Sequence, residues 1–270
     1  MIIDFHTHAF PDAIAVRAID KLARLSHTTP CHNGTVADLK RAMNEGGVDM
    51  SVLLPVVTTP RQFDSINAFA ASHNNKGGII SFGGIHPDCE NTYDKLKQIK
   101  SMGLKGIKLH PDYQNTFVDD EKYIRIISQA VELGLIVTLH AGVDVGYPDT
   151  VHCTPERSLN MLKAVYGDEL NIPRPQIVFA HMGGADMYDD VMKYLAGKDV
   201  FFDTAYCLDK MPVQDVVKLI RTHGARKMLF ATDSPWGEPK KFVRILNELP
   251  ITQEERRLIS HENAQKLLDI

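Results

Sequence analysis

Short apolar and β-branched runs recur along the chain, each ending in Gly, Pro, His or Asp and each followed by residues of helical period. They read "MIIDF" (1–5), "MSVLLPVV" (50–57), "GIISFGGI" (78–85), "LKGIKL" (104–109), "LIVTL" (135–139), "QIVFA" (176–180), "VFFDT" (200–204) and "MLFAT" (228–232). Near-continuous apolarity over about four to six residues marks a strand buried on both faces.

The stretches between them predict amphipathic helices. "TVADLKRAMNEGG" offers Thr35 as a cap and stops at a glycine pair, and "DDEKYIRIISQAVELG" starts acidic and stops at Gly134. "TPERSLNMLKAVYG" places Pro155 at the first helical position after the cap candidate Thr154. "MPVQDVVKLIRTHG" and "EPKKFVRILNEL" repeat the pattern, and "TQEERRLISHENAQKLLDI" reads as one or two closing helices.

Strand then helix, eight times over, predicts a parallel α/β architecture. Eight units without a GxGxxG turn favour a (β/α)8 barrel over a doubly wound sheet. Barrels of this kind use roughly 250 residues for one domain, so residues 1–270 are expected to form a single domain. The segment "PDAIAVRAIDKLARLSHTTPCHNG" (11–34) predicts a helical insertion in the first βα-loop.

Composition narrows the function. A formal charge of -4 gives no electrostatic reason to expect nucleic acid or an anionic membrane surface. No apolar stretch approaches the ~18 residues of a membrane span. Cys31, Cys89, Cys153 and Cys207 are each more than fifty residues from the next, so there is no CxxC site and no disulfide framework is expected. The first apolar run begins at Ile2, so no leader is expected, and the cytoplasm is the expected compartment. The expected partner is a small-molecule substrate, with a homo-oligomer left open.

The chemistry sits at the ends of the runs. Of twelve histidines, His6 and His8 follow the first run, His86 the third, His110 the fourth, His140 the fifth and His181 the sixth, while Asp233 follows the eighth. In a barrel these ends share one rim, where the loops build the site. His-x-His on a strand puts both imidazoles on one side. Two neutral imidazoles aimed at one point suit a borderline cation such as zinc, and His140 and Asp233 would complete the shell. Lys108 has the parity of His110 and, with His110, His86 and Trp236, is expected to meet substrate. Asp4 receives no role, and His27, His32, His73, His223 and His261 are expected to be solvated or capping.

The segments "DFHTH", "TLHAG", "FAHMGG" and "ATDSPW" resemble the metal-site segments of the amidohydrolase superfamily. The nearest likeness is to its amidohydrolase-2 branch, which includes the aminocarboxymuconate-semialdehyde decarboxylase relatives. The resemblance runs essentially the whole chain, to "ENAQKLL" near its end. It implies His6, His8, His140 and Asp233 as ligands of a divalent cation, zinc first and manganese second. One ion is favoured over two. Asp233 would be the general base for a metal-activated water, and His181 would hold that water or an oxyanion. In some relatives a carboxylated lysine at the position of Lys108 bridges two metals; a lysine that binds the substrate's carboxylate or pairs with a neighbouring acid is the favoured reading.

The resemblance thus implies a hydrolase of a small organic amide, lactone or ester. The alternative is a non-oxidative decarboxylase using the same site. A catalytically silent metal-binding barrel is the rival of another class, opposed by the presence of every ligand and base. A nuclease or phosphoesterase is disfavoured by the absence of a basic bias.

Overall fold

The computed structural model describes all residues, 1–270. Its strands are β1 (Ile3–Thr7), β2 (Met50–Leu53), β3 (Ile79–Ser81), β4 (Gly83–Gly84), β5 (Gly106–Leu109), β6 (Ile136–Leu139), β7 (Ile177–Phe179), β8 (Phe201–Asp203) and β9 (Met228–Leu229). All neighbouring pairs are parallel, in the order β1-β2-β3 and β4 through β9. The ring closes between the last strand and the first: Phe5 N–H donates to Phe230 O (2.8 Å), Asp233 N–H to His6 O (2.9 Å) and His8 N–H to Ser234 O (2.7 Å). The chain is a (β/α)8 barrel.

Nine segments fill eight barrel positions because the third run breaks at Phe82. Asn67, from a helix outside the barrel, enters there: its Nδ2 donates to Gly84 O and its Oδ1 accepts from Gly84 N–H. A Cβ on Gly83 would stand 2.5 Å from Asn67 Oδ1, so only glycine admits that side chain. The fifth to eighth runs are therefore β6 to β9.

The helices are α1 (Asp12–Ser26), α2 (Val36–Gly46), α3 (Phe63–His73), α4 (Thr92–Ser101), α5 (Glu121–Glu132), α6 (Pro155–Tyr166), α7 (Tyr188–Tyr194), α8 (Val213–His223), α9 (Pro239–Glu248), α10 (Gln253–Arg257) and α11 (Asn263–Leu268). Three caps follow their side chains. Thr35 accepts from Asp38 N–H, Asp120 from Lys122 N–H and Thr154 from Arg157 N–H, each worth about 1 kcal/mol. The insertion is α1, which follows β1 and lies over the rim.

Phe5, Phe82, Ile136, Val178 and Leu229 form one buried cluster, although their strands lie on different sides of the ring, so they pack inside the barrel. A larger cluster fills the layer between strands and helices. No helix is long and apolar enough to cross a membrane.

Two histidines expected to be solvated or capping are buried. His223 stacks on Phe202 at 3.7 Å and bonds Val200 O through Nε2. His32 is bonded to Ser234 Oγ through Nε2 (2.9 Å) and accepts from Gly34 N–H through Nδ1. Their partners lie on distant or looped segments, which helical and loop placement could not reveal.

Candidate metal centre

The strand ends deliver the expected residues to one rim. β1 carries His6, with His8 just beyond it. β5 carries Lys108, and His110, His140 and His181 follow β5, β6 and β7. Asp203 ends β8, and Asp233 lies four residues beyond the end of β9. β1 is not regular here, its register slipping between Asp4 and Thr7, yet the two imidazoles still meet. His6 Nε2 and His8 Nε2 are 3.1 Å apart, and Asp233 Oδ1 is 3.3 Å from the first and 3.2 Å from the second. His181 and Asp233 leave their strands with positive φ, 59° and 67°, a conformation that costs a non-glycine residue energy and clusters at functional sites.

Second partners fix where the ring protons are. His6 Nδ1 lies 2.8 Å from Asp203 Oδ2 and His8 Nδ1 2.9 Å from Leu54 O; both acceptors require an N–H, so each Nε2 holds a bare lone pair. Two lone pairs and a carboxylate oxygen within about 3.3 Å of one another, with no proton among them, repel unless a cation lies between. Lys108 Nζ supplies part of that charge, 3.1 Å from His6 Nε2. The donor set fits a divalent cation, and ligand spacing near 3.3 Å suits metal–ligand bonds of roughly 2.0–2.2 Å.

His140 stands apart from this trio, because the donor atoms that lie within 4.8 Å of one another are those of His6, His8 and Asp233. His140 Nδ1 instead meets His181 Nε2 at 2.9 Å, and His181 Nδ1 donates to Ala205 O (3.0 Å). His140 Nε2 is left buried without a hydrogen bond, 3.9 Å from Asp112 Oδ2 and from Asp144 Oδ2.

His110, His140 and Asp144 form a second close trio. Its members lie close without hydrogen-bonding one another. His110 Nδ1 accepts from Tyr113 N–H (3.4 Å), which puts the proton on Nε2, 3.4 Å from Asp144 Oδ2. The His110 and His140 rings are stacked at 4.2 Å and 7°, so no ion lies in both ring planes. Behind them Asp112 holds His152 through both its backbone N–H and its Nδ1.

Burial dominates the electrostatics. It pushes His6, His110 and His140 well below the usual imidazole range; Lys108 adds to this for His6 and His110, and His110 for His140. Neutral imidazoles are what a cation needs. Burial also lowers Lys108 to about 8, opposed by Asp203 and Asp233, and raises Asp203 against the pull of His181 and Lys108. Asp4, given no role by the sequence, is buried, raised by that burial to about 7, and accepts from Thr232 N–H and Oγ1–H just ahead of Asp233.

These groups open into a cavity of about 480 Å³. Of the four side chains expected to meet substrate, Lys108, His110 and Trp236 line it; His86 does not, and its Nδ1 accepts from Asp88 N–H in its own loop. Sequence reasoning also missed Asp203, which ends β8 but stands inside its apolar run rather than after it, and the cavity residues Tyr113 and Tyr206, which bear no signal.

The amidohydrolase family model, Amidohydro_2, matches residues 3–270. A comparison with curated proteins finds no match. Among solved structures, the 5-carboxyvanillate decarboxylase of Sphingomonas paucimobilis is similar at 15% identity and a TM-score of 0.71, over 100% of this chain and 99% of that one. A dihydroxybenzoic acid decarboxylase of a Polaromonas species, with bound manganese and 2-nitroresorcinol as inhibitor, is similar at 14% and 0.70, over 99% and 96%. An uncharacterized TIM-barrel protein of Bordetella bronchiseptica reaches 17% and 0.73, over 99% and 98%. At such identities the likeness establishes the barrel. The family match spans nearly the whole chain and contains every residue of the centre just described, and on it the chain belongs to the amidohydrolase family.

Proposed function

We propose that this protein is a metal-dependent non-oxidative decarboxylase of a small carboxylated, aromatic substrate. The observation that carries this reading is Lys108, the only buried lysine in the chain, whose Nζ sits beside His6 on the cavity wall. Burying an ammonium is costly, and Asp203 and Asp233 offset that cost only in part, Lys108 remaining lowered to about 8. A carboxylate substrate supplies a further anion, whereas a neutral amide, lactone or ester does not. The decarboxylase activities of the Sphingomonas and Polaromonas proteins favour the same reading over hydrolysis.

His6, His8 and Asp233 would hold the cation, with His140 and His181 beside it. Two imidazoles and a carboxylate suit zinc or manganese, and the manganese of the Polaromonas protein makes that ion the first to test. When bound, the cation supplies a fixed positive charge against substrate oxygens. Lys108 binds and orients the carboxylate. The ring stack of Tyr113 on His110 (3.7 Å, 15°) gives a planar substrate a flat wall. Decarboxylation exchanges carbon dioxide for one proton at the same carbon, and Asp233 is the residue we assign to carry that proton.

Product analysis tests the reading. Metal-reconstituted protein should release carbon dioxide from hydroxylated benzoates and leave the corresponding phenol. Formation of acid and alcohol or amine from lactones, esters or amides, without carbon dioxide, would restore hydrolysis.

A further inference from the structure

The cavity has two ends of opposite character. One is the imidazole, lysine and carboxylate centre. The other is walled by α1, which turns Ala18, Leu22 and Leu25 into the cavity, positions i, i+4 and i+7 on one helical face. This stripe is surplus to docking. α1 already docks through Ala15 and Ile19, both buried, and a Cβ on Gly34 (φ +80°) would stand 2.4 Å from Ile19 Cγ1. The stripe itself is only partly covered, Leu25 remaining 39% exposed.

The facing wall is the loop after β6, with Val143, Val145 and Tyr147. The two walls approach over the cavity, since a Cβ on Gly146 would lie 3.2 Å from Leu25 Cγ. The apolar end is thus a channel covered from two sides, continuous with the reaction centre. The charged side chain on its α1 wall, Lys21, is exposed. A benzoate-sized head at the centre would leave this end to water against leucine and valine.

We propose that the channel takes an apolar substituent of the substrate, which is therefore an amphiphile: a carboxylate-bearing head at the centre and an alkyl or aryl tail along Ala18, Leu22 and Leu25. The assignment of the head rests on the carboxylate reading above; the tail rests on the channel. Each methylene drawn from water into it should raise affinity about fourfold until the channel is filled.

The test is calorimetric and needs no turnover. Manganese-reconstituted protein is titrated with benzoate, 4-propylbenzoate and 4-hexylbenzoate, and the slope of affinity with chain length is read. The slope should be about fourfold per methylene over the first carbons in the natural protein, and close to flat in Leu22→Asp, which charges the wall, and in Leu22→Trp, which fills it. A flat slope in the natural protein overturns the inference, as does a slope unchanged in both variants. Failure to bind any of the three overturns both this inference and the carboxylate reading. The two are otherwise separable: a steep slope with no carbon dioxide released sinks the decarboxylase alone, and carbon dioxide release with no slope sinks the channel alone.

Discussion

Asp203 Oδ2 stands 2.8 Å from His6 Nδ1, both side chains being essentially inaccessible to solvent. This contact fixes the proton on Nδ1 and turns a bare Nε2 towards His8 and Asp233. The same carboxylate holds the far side of the centre, its Oδ1 accepting from His181 N–H and Ala205 N–H. Replacing Asp203 by Asn weakens the acceptor and lets the amide present an N–H to His6. Asp203→Asn should lower affinity for the divalent cation about 10–100-fold, the usual cost of losing such a support, with the far-ultraviolet dichroism unchanged. Unaltered affinity in a metal titration would show that His6 does not depend on this contact.

Asp233→Asn separates binding from chemistry. Asparagine still offers a carbonyl oxygen to a cation but holds no proton for transfer near neutral pH. The rate should fall about 10²–10⁴-fold while much of the bound cation remains. A loss of less than about tenfold with the cation retained would assign the proton to another group.

Lys108 distinguishes a recognition cation from a carboxylated bridge. If it binds the substrate's carboxylate, Lys108→Ala should leave the metal content intact and raise KM about 10–100-fold, the scale of one charged hydrogen bond. Lys108→Arg should recover part of the loss, since it keeps the charge. Loss of bound metal in both variants would instead make Lys108 part of the metal shell.

Buried neutral histidines make stability fall with acid. Burial lowers His223 to about 3 and His32 to about 4, against about 6.5 when unfolded. The unfolded chain therefore takes up these protons first as the pH drops. Each histidine's share of stability is complete above about 6.5 and is lost towards its folded value, at up to about 1.4 kcal/mol per pH unit. Denaturant unfolding of His223→Gln between pH 6.5 and 4.5 should show a shallower loss than the natural protein. Identical slopes would mean that His223 does not titrate on unfolding.

The strands, most caps and the α1 insertion were legible because each depends on a local pattern: apolar runs, Thr35 and Thr154 before their helices, and a helical stretch within 11–34. The rim residues were legible because barrel closure brings every strand end to one place. What escaped depends on contacts between distant segments. Asn67 splits the third run from outside it, and His32 is buried only because Ser234 reaches it. Asp203 stands within its run, where a buried carboxylate reads as an interruption. The orientation of His140, its ring stacked on His110 and its Nδ1 against His181, is a rotamer that strand parity does not specify.

Metal stoichiometry in variants of the two trios tests the centre most directly. Protein stripped of metal and titrated with manganese or zinc should bind one equivalent tightly; His8→Ala should abolish that binding and His110→Ala should retain it. Retention in His8→Ala with loss in His110→Ala would place the cation on His110, His140 and Asp144 and contradict the centre described above.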